Sequence, residues 1–189
     1  MYVDENQRRI VEKEIFPFSE SFFLEDFLAA FSIARFLNVP REIILKNVKY
    51  LKPSPMRFEK IVKDDVLFIN DTYNASPISV KMAIQNFPIS QRSGRKILVL
   101  GSMKELGEKS NKIHQEILDV AVRDFDFTLL LGSEFEALVR GDVYENVFVF
   151  NEKEALISKL EKIVFKGSVV LIKGARFHKM EKIVDHFLK

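Results

Sequence analysis

The chain has 189 residues, no Cys, and 29 basic against 27 acidic side chains that are interspersed along it. This composition excludes a disulfide framework, a thiolate metal site and a Cys nucleophile, and it argues against the basic surface that nucleic acids and anionic membranes require. Since no apolar run approaches the ~20 residues that span a membrane, and the first residues do not resemble a signal peptide, we expect a cytoplasmic protein.

The beginning of the chain, residues 1–52, is predicted to form a mainly helical segment. Residues 2–18 carry alternating apolar positions, which indicate a strand or a frayed segment. Apolar residues recur on one helix face over 21–37, and Ser21 is a suitable residue to cap that helix. Pro40 is expected to open a second helix, which ends near residue 48.

A pattern of alternating strands and helices follows the proline-rich linker at 53–58. We predict strands near 57–63, 66–70, 96–101, 126–131, 147–150 and 168–173, and helices near 77–86, 109–123, 134–140, 152–163 and 178–188. The first two strands are expected to form a hairpin whose turn lies near Asp64 and Asp65. Residues 59–189 are therefore predicted to be an α/β domain, a Rossmann-like and mostly parallel sheet with helices on both faces.

The most informative stretch reads Asp-Thr-Tyr-Asn-Ala-Ser-Pro at 71–77. It lies between an apolar strand pattern and a helical pattern, with Ser76 as the expected helix cap and the proline as the first helical residue. Ligands bind at the carboxyl ends of strands in open α/β sheets, so Asp71, Tyr73 and Asn74 are candidate binding residues. The alternative is a capped turn without a ligand, because Asp and Asn favour turns.

Four stretches together resemble the Mur ligases, and specifically their MurF type, UDP-N-acetylmuramoyl-tripeptide:D-alanyl-D-alanine ligase. The heptapeptide at 71–77 is similar to the family pattern D-[ST]-Y-N-A-[NS]-P. Met-Arg-Phe-Glu at 56–59 resembles the family pattern G-R-x-E. Residues 99–107, followed by His114, resemble V-x-G-D-M-x-E-L-G…H. Residues 171–176, followed by 179–181, resemble L-V-K-G-S-R…K-M-E. The four occur in the order of the family, and the resemblance covers about residues 20–189.

This resemblance implies which parts of a ligase the chain contains. Mur ligases hold the phosphates of ATP and Mg²⁺ with a G-x-x-x-x-G-K-[ST] loop, which does not occur in this sequence. They bind the UDP-sugar with an N-terminal domain, so we expect both parts to lie upstream. Residues 1–52 would then be the end of the central ATPase domain and 59–189 the C-terminal domain. ATP and Mg²⁺ are the cofactors of the parent family, and neither is expected to bind tightly to this chain alone.

The resemblance also implies roles for individual side chains. The expected nucleotide-binding residues are Arg57, Asp71, Tyr73 and Asn74. The expected binding residues for the substrate D-Ala-D-Ala are Asn74, Ser76, Lys173 and Arg176. The plainer interpretation is a surface arginine at a strand start and a basic entry to the last helix. No catalytic residue and no metal ligand is expected on this chain.

Several positions depart from the family pattern. Ser102 stands where the family has Asp, and Ala175 where it has Ser. Phe23 and Asp26 fall where two family Asn residues help to hold the nucleotide. Phe23 cannot hydrogen-bond to a nucleotide, and an ionised Asp26 can only accept. His114 matches the family, but a single histidine within a helix is predicted to be a packing or surface residue.

Three functions remain open at this stage. The first is the C-terminal portion of a MurF-like ligase in peptidoglycan precursor synthesis, inactive without the phosphate loop and completed by a separate or upstream ligase part. The second is a stand-alone, non-catalytic domain that binds a nucleotide, a peptide or a protein partner. The third is a plain structural α/β domain. Self-association through exposed rings is also expected, and these are Phe22, Phe23, Phe27 and Phe31.

Overall fold

The computed structural model describes residues 2–3, 9–11, 16–88, 93–139 and 144–189. The chain divides into two compact units, Met1–Pro53 and Ser54–Lys189. Each unit has its own cluster of buried apolar side chains. None of the helices that the structure describes is both long and apolar enough to cross a membrane.

The first unit contains one small antiparallel pair and two helices. Strand β1 (Tyr2–Val3) pairs with β2 (Arg9–Val11), so the strand interpretation is confirmed for these residues, whereas 4–8 and 12–15 lie outside the described residues. Helix α1 is Ser21–Phe36 and α2 is Arg41–Val48. Ser21 was expected to cap α1, and this is wrong: it is the first helical residue, and Glu20 occupies the N-cap without a side-chain cap bond.

Aromatic side chains build the core of this unit. Phe16, Phe27 and Val48 are buried, and the ring centroid of Phe27 lies 5.5 Å from that of Phe16 and 5.9 Å from that of Phe31. The expectation that Phe27 is exposed is therefore wrong, because its ring fills the core of its own unit. The large exposed apolar side chains of this helix are instead at its carboxyl end, Ile33 and Phe36, and the C-cap residue Leu37 is exposed as well.

The second unit is a six-stranded sheet with helices on both faces. Its strands are β3 (Glu59–Lys63), β4 (Val66–Asp71), β5 (Lys96–Gly101), β6 (Phe127–Leu131), β7 (Val147–Phe150) and β8 (Val169–Lys173). Its helices are α3 (Pro77–Gln85), α4 (Ser110–Asp124), α5 (Lys153–Ile163) and α6 (Glu181–Leu188). The strand order is β3-β4-β8-β5-β6-β7, with β3 antiparallel and the rest parallel, which confirms the predicted Rossmann-like fold.

The hairpin turn between β3 and β4 follows from its two residues. Asp64 and Asp65 both have positive φ, 50° and 61°, as the tight turns that suit the twist of a hairpin require. Asp is among the residues that tolerate this region, so the predicted hairpin is confirmed at this position.

One predicted helix is wrong, and another begins later than expected. Residues 134–140 were expected to be helical, but Ser133–Phe135 form a single 3₁₀ turn followed by turns, and residue 140 lies outside the described residues. Among the described residues 134–139, Phe135 is the only buried one, and so short a helix is not stable without an apolar face. The last helix begins at Glu181 rather than at residue 178, because Lys179 has a left-handed backbone, with a φ of 50°.

The packing of the helices places a crevice at one edge of the sheet. Buried residues of α5 and α6 share one core with alternate strand positions such as Phe68, Val99 and Ile172. The intervening positions are equally buried, and the buried side chains of α3 and α4 cover that opposite face. The chain that follows β8 therefore leads to a helix on one face of the sheet, α6, whereas the chain segments that follow its neighbours β4 and β5 lead to helices on the other face, α3 and α4. Such divergence at the carboxyl ends is where α/β sheets form binding crevices.

Candidate functional site

The centre of the crevice is an ion pair between adjacent strand ends, in which Lys173 is buried and Asp71 is partly buried. Asp71 and Lys173 are register partners in the parallel β4–β8 pair. The Nζ of Lys173 lies 2.6 Å from Oδ2 of Asp71 and also donates to the backbone carbonyl of Asn74 at 3.0 Å. Burial lowers the pKa of Lys173, while the carboxylate of Asp71 opposes this effect. Removing one partner from such a pair leaves an uncompensated charge and costs about 3–5 kcal/mol.

The second oxygen of the same carboxylate holds the loop that precedes β3. Oδ1 of Asp71 accepts a hydrogen bond from the backbone N–H of Phe58 at 3.2 Å. The N–H of Tyr73 donates to the carbonyl of Met56 at 3.1 Å. Met56 and Phe58 have left-handed φ values of 61° and 52°, a conformation that costs about 1–3 kcal/mol per residue. Contacts from β4 and its following loop therefore stabilise a strained turn.

Arg57 lies between these two strained residues and is exposed. Its guanidinium carbon is 4.1 Å from the ring centroid of Tyr73, whose side chain is 45% exposed. Stacking of this kind contributes about 0.5–1 kcal/mol at an exposed site and fixes the plane of the guanidinium. The exposed Asn74 follows directly. The predicted nucleotide-binding residues Arg57, Asp71, Tyr73 and Asn74 are thus neighbours, although this neighbourhood alone does not test their role.

Ser76 has a defined structural role at the start of α3. Its Oγ accepts from the N–H of Ser79 at 3.3 Å, and Oγ of Ser79 accepts from the N–H of Ser76 at 2.9 Å. This reciprocal capping box, with Pro77 at the first helical position, confirms the predicted cap. A cap of this type contributes about 1 kcal/mol. The expected contact with a substrate stays a prediction.

Arg176 follows the carboxyl end of β8 at the same edge of the sheet and is exposed. It pairs with Glu181 at 3.2 Å, and its Nη1 is 3.7 Å from the sulfur of Met56. It thus stands beside the loop that carries Arg57. Its expected part in substrate binding is untested by these contacts.

A second polar cluster, which the sequence did not predict, joins three loops at the same edge. The Oγ of Ser102, after β5, is 2.8 Å from Nε2 of His178, after β8. Burial raises the pKa of Glu134, after β6, but hydrogen bonds from Lys104, from its own backbone N–H and from Ser102 outweigh burial and lower the pKa to about 2. Lys104 also forms an ion pair with Glu134. These residues all follow predicted strand ends, which was the available signal in the sequence. Ser102 and Lys104 lie in the motif at 99–107, whereas Glu134 lies in none of the four motifs.

Glycine allows these strand ends to approach one another. A Cβ on Gly174 would lie 2.6 Å from Cγ of Met180 and 3.1 Å from the Cα of Gly101. A Cβ on Gly132, whose φ is +124°, would lie 2.6 Å from Oγ of Ser102. Side chains at these positions would therefore force apart the loops that form the edge.

His114 is buried and holds the loop after β5 in place. Its Nε2 accepts from the backbone N–H of Met103 at 3.0 Å, and its Nδ1 is 2.9 Å from the carbonyl of Ser110. Because Nε2 accepts, the proton of the neutral ring is on Nδ1, which donates to that carbonyl. Burial lowers the pKa of His114 and keeps the ring neutral. Of the two predicted alternatives, packing is correct.

The donor set of the edge fits a nucleotide better than a metal. An exposed arginine, an exposed aromatic ring and an exposed amide suit phosphate, base or ribose groups. Within the described ranges, no three His, Asp or Glu side chains lie close enough together to hold a metal ion.

Comparison with known proteins decides the family. The sequence model described as "Mur ligase, glutamate ligase domain" matches residues 56–176. The chain belongs to the Mur ligase family. It is 33% identical over 168 residues to the UDP-N-acetylmuramoyl-tripeptide--D-alanyl-D-alanine ligase of Bacillus subtilis, an alignment that covers 86% of this chain and 37% of that ligase. The corresponding enzyme of Escherichia coli is 30% identical, over 83% of this chain and 35% of its own length.

Solved structures agree with this assignment. A UDP-N-acetylmuramoylalanyl-D-glutamyl-2,6-diaminopimelate--D-alanyl-D-alanyl ligase from Acinetobacter baumannii aligns with a TM-score of 0.80 at 28% identity, over 92% of this chain and 38% of that one. The MurF ligase from Thermotoga maritima in complex with ADP aligns with a TM-score of 0.70 at 29% identity, over 84% and 36%. The predicted resemblance to the MurF type is confirmed, and the chain spans little more than a third of these Mur ligases.

Proposed function

We propose that this Mur ligase chain is the C-terminal portion of an ATP-dependent, MurF-like amide ligase that adds D-Ala-D-Ala to UDP-MurNAc-tripeptide. The observation that supports this most is the cluster of four motif-derived residues, Arg57, Asp71, Tyr73 and Asn74, at one sheet edge. Their neighbourhood is what a nucleotide site on this domain requires. The partial coverage of the relatives fits a portion of such an enzyme.

In this proposal the chain orients reactants and supplies no catalytic group. ATP, when bound, supplies the phosphate that activates a carboxylate of the tripeptide, and the amine of D-Ala-D-Ala then displaces it. The chain closes over the nucleotide and excludes water. Without a phosphate loop, it has no means of its own to hold the γ-phosphate. We therefore expect it to be inactive alone.

Each side chain at the edge has a task that its chemistry allows. The planar guanidinium of Arg57 suits a nucleotide phosphate. Asp71 and Asn74 can accept from ribose hydroxyls. At the same edge of the sheet, Arg176 suits the carboxylate of the dipeptide, and Asn74 and Ser76 offer hydrogen-bonding groups for its amine or amide.

One observation favours the alternative of a stand-alone, non-catalytic binding domain. Phe23, which stands where the family pattern has an Asn, packs into the aromatic core of the first unit, with its ring centroid 4.4 Å from that of Phe18. This replacement is part of the packing, so restoring the family residue would disturb the unit. Under this alternative the edge still binds a nucleotide or a peptide, but no ligase is completed.

The test is an assay of ATP-dependent phosphate release and amide formation. The chain is measured alone and together with the remainder of the Bacillus subtilis ligase, without its matched region. We expect no product from the chain alone and a gain when the two parts are combined. Arg57→Ala should abolish the gain, whereas Lys159→Ala, on α5, should retain it. Robust phosphate release by the chain alone would overturn the proposal, and ADP binding without any gain would favour the binding domain.

A further inference from the structure

We propose that Lys173 is a positioning residue: through Asp71 it holds residues 56–58 in their strained turn, and so directs Arg57 toward the crevice. The sequence assigned Lys173 to the substrate. Its surroundings favour a different role, which begins with its accessibility.

Lys173 offers little of its ammonium group to a ligand. The side chain is only 3% exposed, at the junction of β8 with β4 and β5. Of its three N–H donors, one points to Oδ2 of Asp71 and another to the carbonyl of Asn74. Because the side chain is so little exposed, a dipeptide carboxylate could reach the third N–H only if the surrounding groups moved aside. The ammonium is therefore placed to act on the protein rather than on a ligand.

Asp71 connects Lys173 to the loop at residues 56–58. Its Oδ2 is held by Lys173, which fixes the plane of the carboxylate, and its Oδ1 accepts from the N–H of Phe58. The path runs from β8 to the end of β4 and on to the residue that follows Arg57. Without the lysine, this carboxylate would be free to rotate toward solvent, since its side chain is partly exposed.

The loop needs such a restraint because its backbone is strained. Met56 and Phe58, on either side of Arg57, both have positive φ, and bulky side chains adopt this region only when surrounding contacts impose it. The N–H of Tyr73 donates to Met56 at 3.1 Å, the N–H of Met56 donates to Glu59 at 3.2 Å, and the N–H of Arg57 donates to the carbonyl of Ser54 at 3.2 Å. These bonds hold the loop up to Arg57, and the bond from Asp71 adds a side-chain restraint on Phe58, the residue that follows it.

The charges of Lys173, Asp71 and Arg57 also favour this placement of the loop. Burial lowers the pKa of Lys173 and the positive charge of Arg57 adds to this, whereas the carboxylate of Asp71 opposes both. The contact with Asp71 thus balances the charge of Lys173. A loop that carries an arginine can therefore remain beside a buried lysine, and Arg57 keeps its stacked position on Tyr73.

That Arg57 meets a nucleotide rests on the proposed function, whereas the dependence of its position on Lys173 does not. The free protein is therefore examined first, by NMR of the arginine side chains. The ring of Tyr73 should shift the Arg57 side-chain signals upfield, and Tyr73→Leu identifies this shift by removing it. Lys173→Met and Asp71→Asn should each remove at least half of it. Lys153→Met, which removes another lysine bonded to a carbonyl, should leave it unchanged.

Methyl signals of Leu156 and Ile183 report whether the core is intact, and both residues are fully buried. If Lys173→Met does not fold, the Asp71→Ala, Lys173→Met double variant removes both charges and should fold with the Arg57 shift lost. An unchanged Arg57 shift in a folded Lys173→Met variant would overturn the proposal. So would the full shift in the double variant.

Titration with ADP then separates positioning from direct contact. We expect Lys173→Met to weaken ADP binding by the same factor as Arg57→Ala, and the two substitutions combined to weaken it no further. If Lys173→Met weakens ADP binding while the Arg57 signals stay in place, the lysine contacts the ligand and the positioning role is wrong. If ADP does not bind the unmodified protein, the proposed function fails, and the Arg57 signals alone decide on Lys173.

Discussion

Individual residues explain how a departure from the family pattern is accommodated. Ser102 stands where the Mur ligase pattern has Asp, and its hydroxyl bridges His178 and Glu134. A hydroxyl can accept from one neighbour and donate to the other. A carboxylate at this position would instead face the carboxylate of Glu134. The serine is therefore compatible with the acidic residue beside it, and its presence does not by itself indicate a damaged site.

His114 gives a prediction about a single buried hydrogen bond. Replacing it with Leu leaves the buried N–H of Met103 without its acceptor, which should reduce the free energy of unfolding by about 1–3 kcal/mol. The measurement is urea unfolding at neutral pH. His186→Gln, at the surface, is the matched control. A loss no larger than that of the control would contradict the role of His114.

The same residue gives a pH dependence. Burial lowers the pKa of His114 in the folded protein below the ordinary value, so the unfolded chain takes up the proton first as the pH falls. The free energy of unfolding should be highest above about pH 6.5 and fall below it, by at most about 1.4 kcal/mol per pH unit for one group. His178, whose pKa burial also lowers, adds to this loss. The His114→Leu variant should decline less between about pH 7.5 and 5.5, and an equal decline would contradict the assignment.

For individual residues, the sequence predicted which side chains lie at the carboxyl ends of strands, but it did not predict which contacts they make. The motif order placed Asp71 and Lys173 at strand ends, and these ends are adjacent. Their burial as an ion pair depends on β8 inserting between β4 and β5, which no local pattern reveals. The bond between Ser102 and His178 joins residues 76 positions apart and has the same cause.

Among the elements, the close approach of the ends of β5 and β8 is the packing that we expect to tolerate an added side chain least. Gly174→Ala would place a methyl group 2.6 Å from Cγ of the buried Met180 and 3.1 Å from the Cα of Gly101, so a packed side chain and the backbone of β5 must both shift. We expect a loss of about 1–3 kcal/mol in the free energy of unfolding. Gly107→Ala is the control, because open space surrounds it and only its positive φ adds strain of about 1 kcal/mol. A loss no larger than in the control would show that the strand ends are not tightly packed.

Elements were predictable where several local signals agreed. The β3–β4 hairpin combines two strand patterns with a turn of two aspartates, and α3 combines a serine cap with a following proline. The segment 134–140 offered few apolar anchors, and over its described residues only one 3₁₀ turn, Ser133–Phe135, forms. The Ser21 cap was misplaced by one residue because helix α1 begins at it rather than after it.

For the whole molecule, the two units differ in how much core they contain. In the first unit, the described buried side chains are few: Phe16, Glu20, Phe27 and Val48. The second buries complete strands such as β5 and β8. We therefore predict that amide hydrogen exchange is faster in α1 and α2 than in β4, β5 and β8, because opening the small unit exposes less apolar surface. Equally slow exchange in a monomeric sample would contradict this difference.

The central claim is that a nucleotide binds at the carboxyl edge of the second unit, and titration of the isotope-labelled chain with ADP tests it most directly. We predict weak binding, because the chain carries no phosphate loop. The shifted amide signals should cluster at residues 57–58, 71–76, 101–104 and 173–176, and Asp71→Ala with Lys173→Ala should abolish them. Shifts around Thr128 and Val147 at the opposite edge, or no shifts at millimolar ADP, would contradict the account.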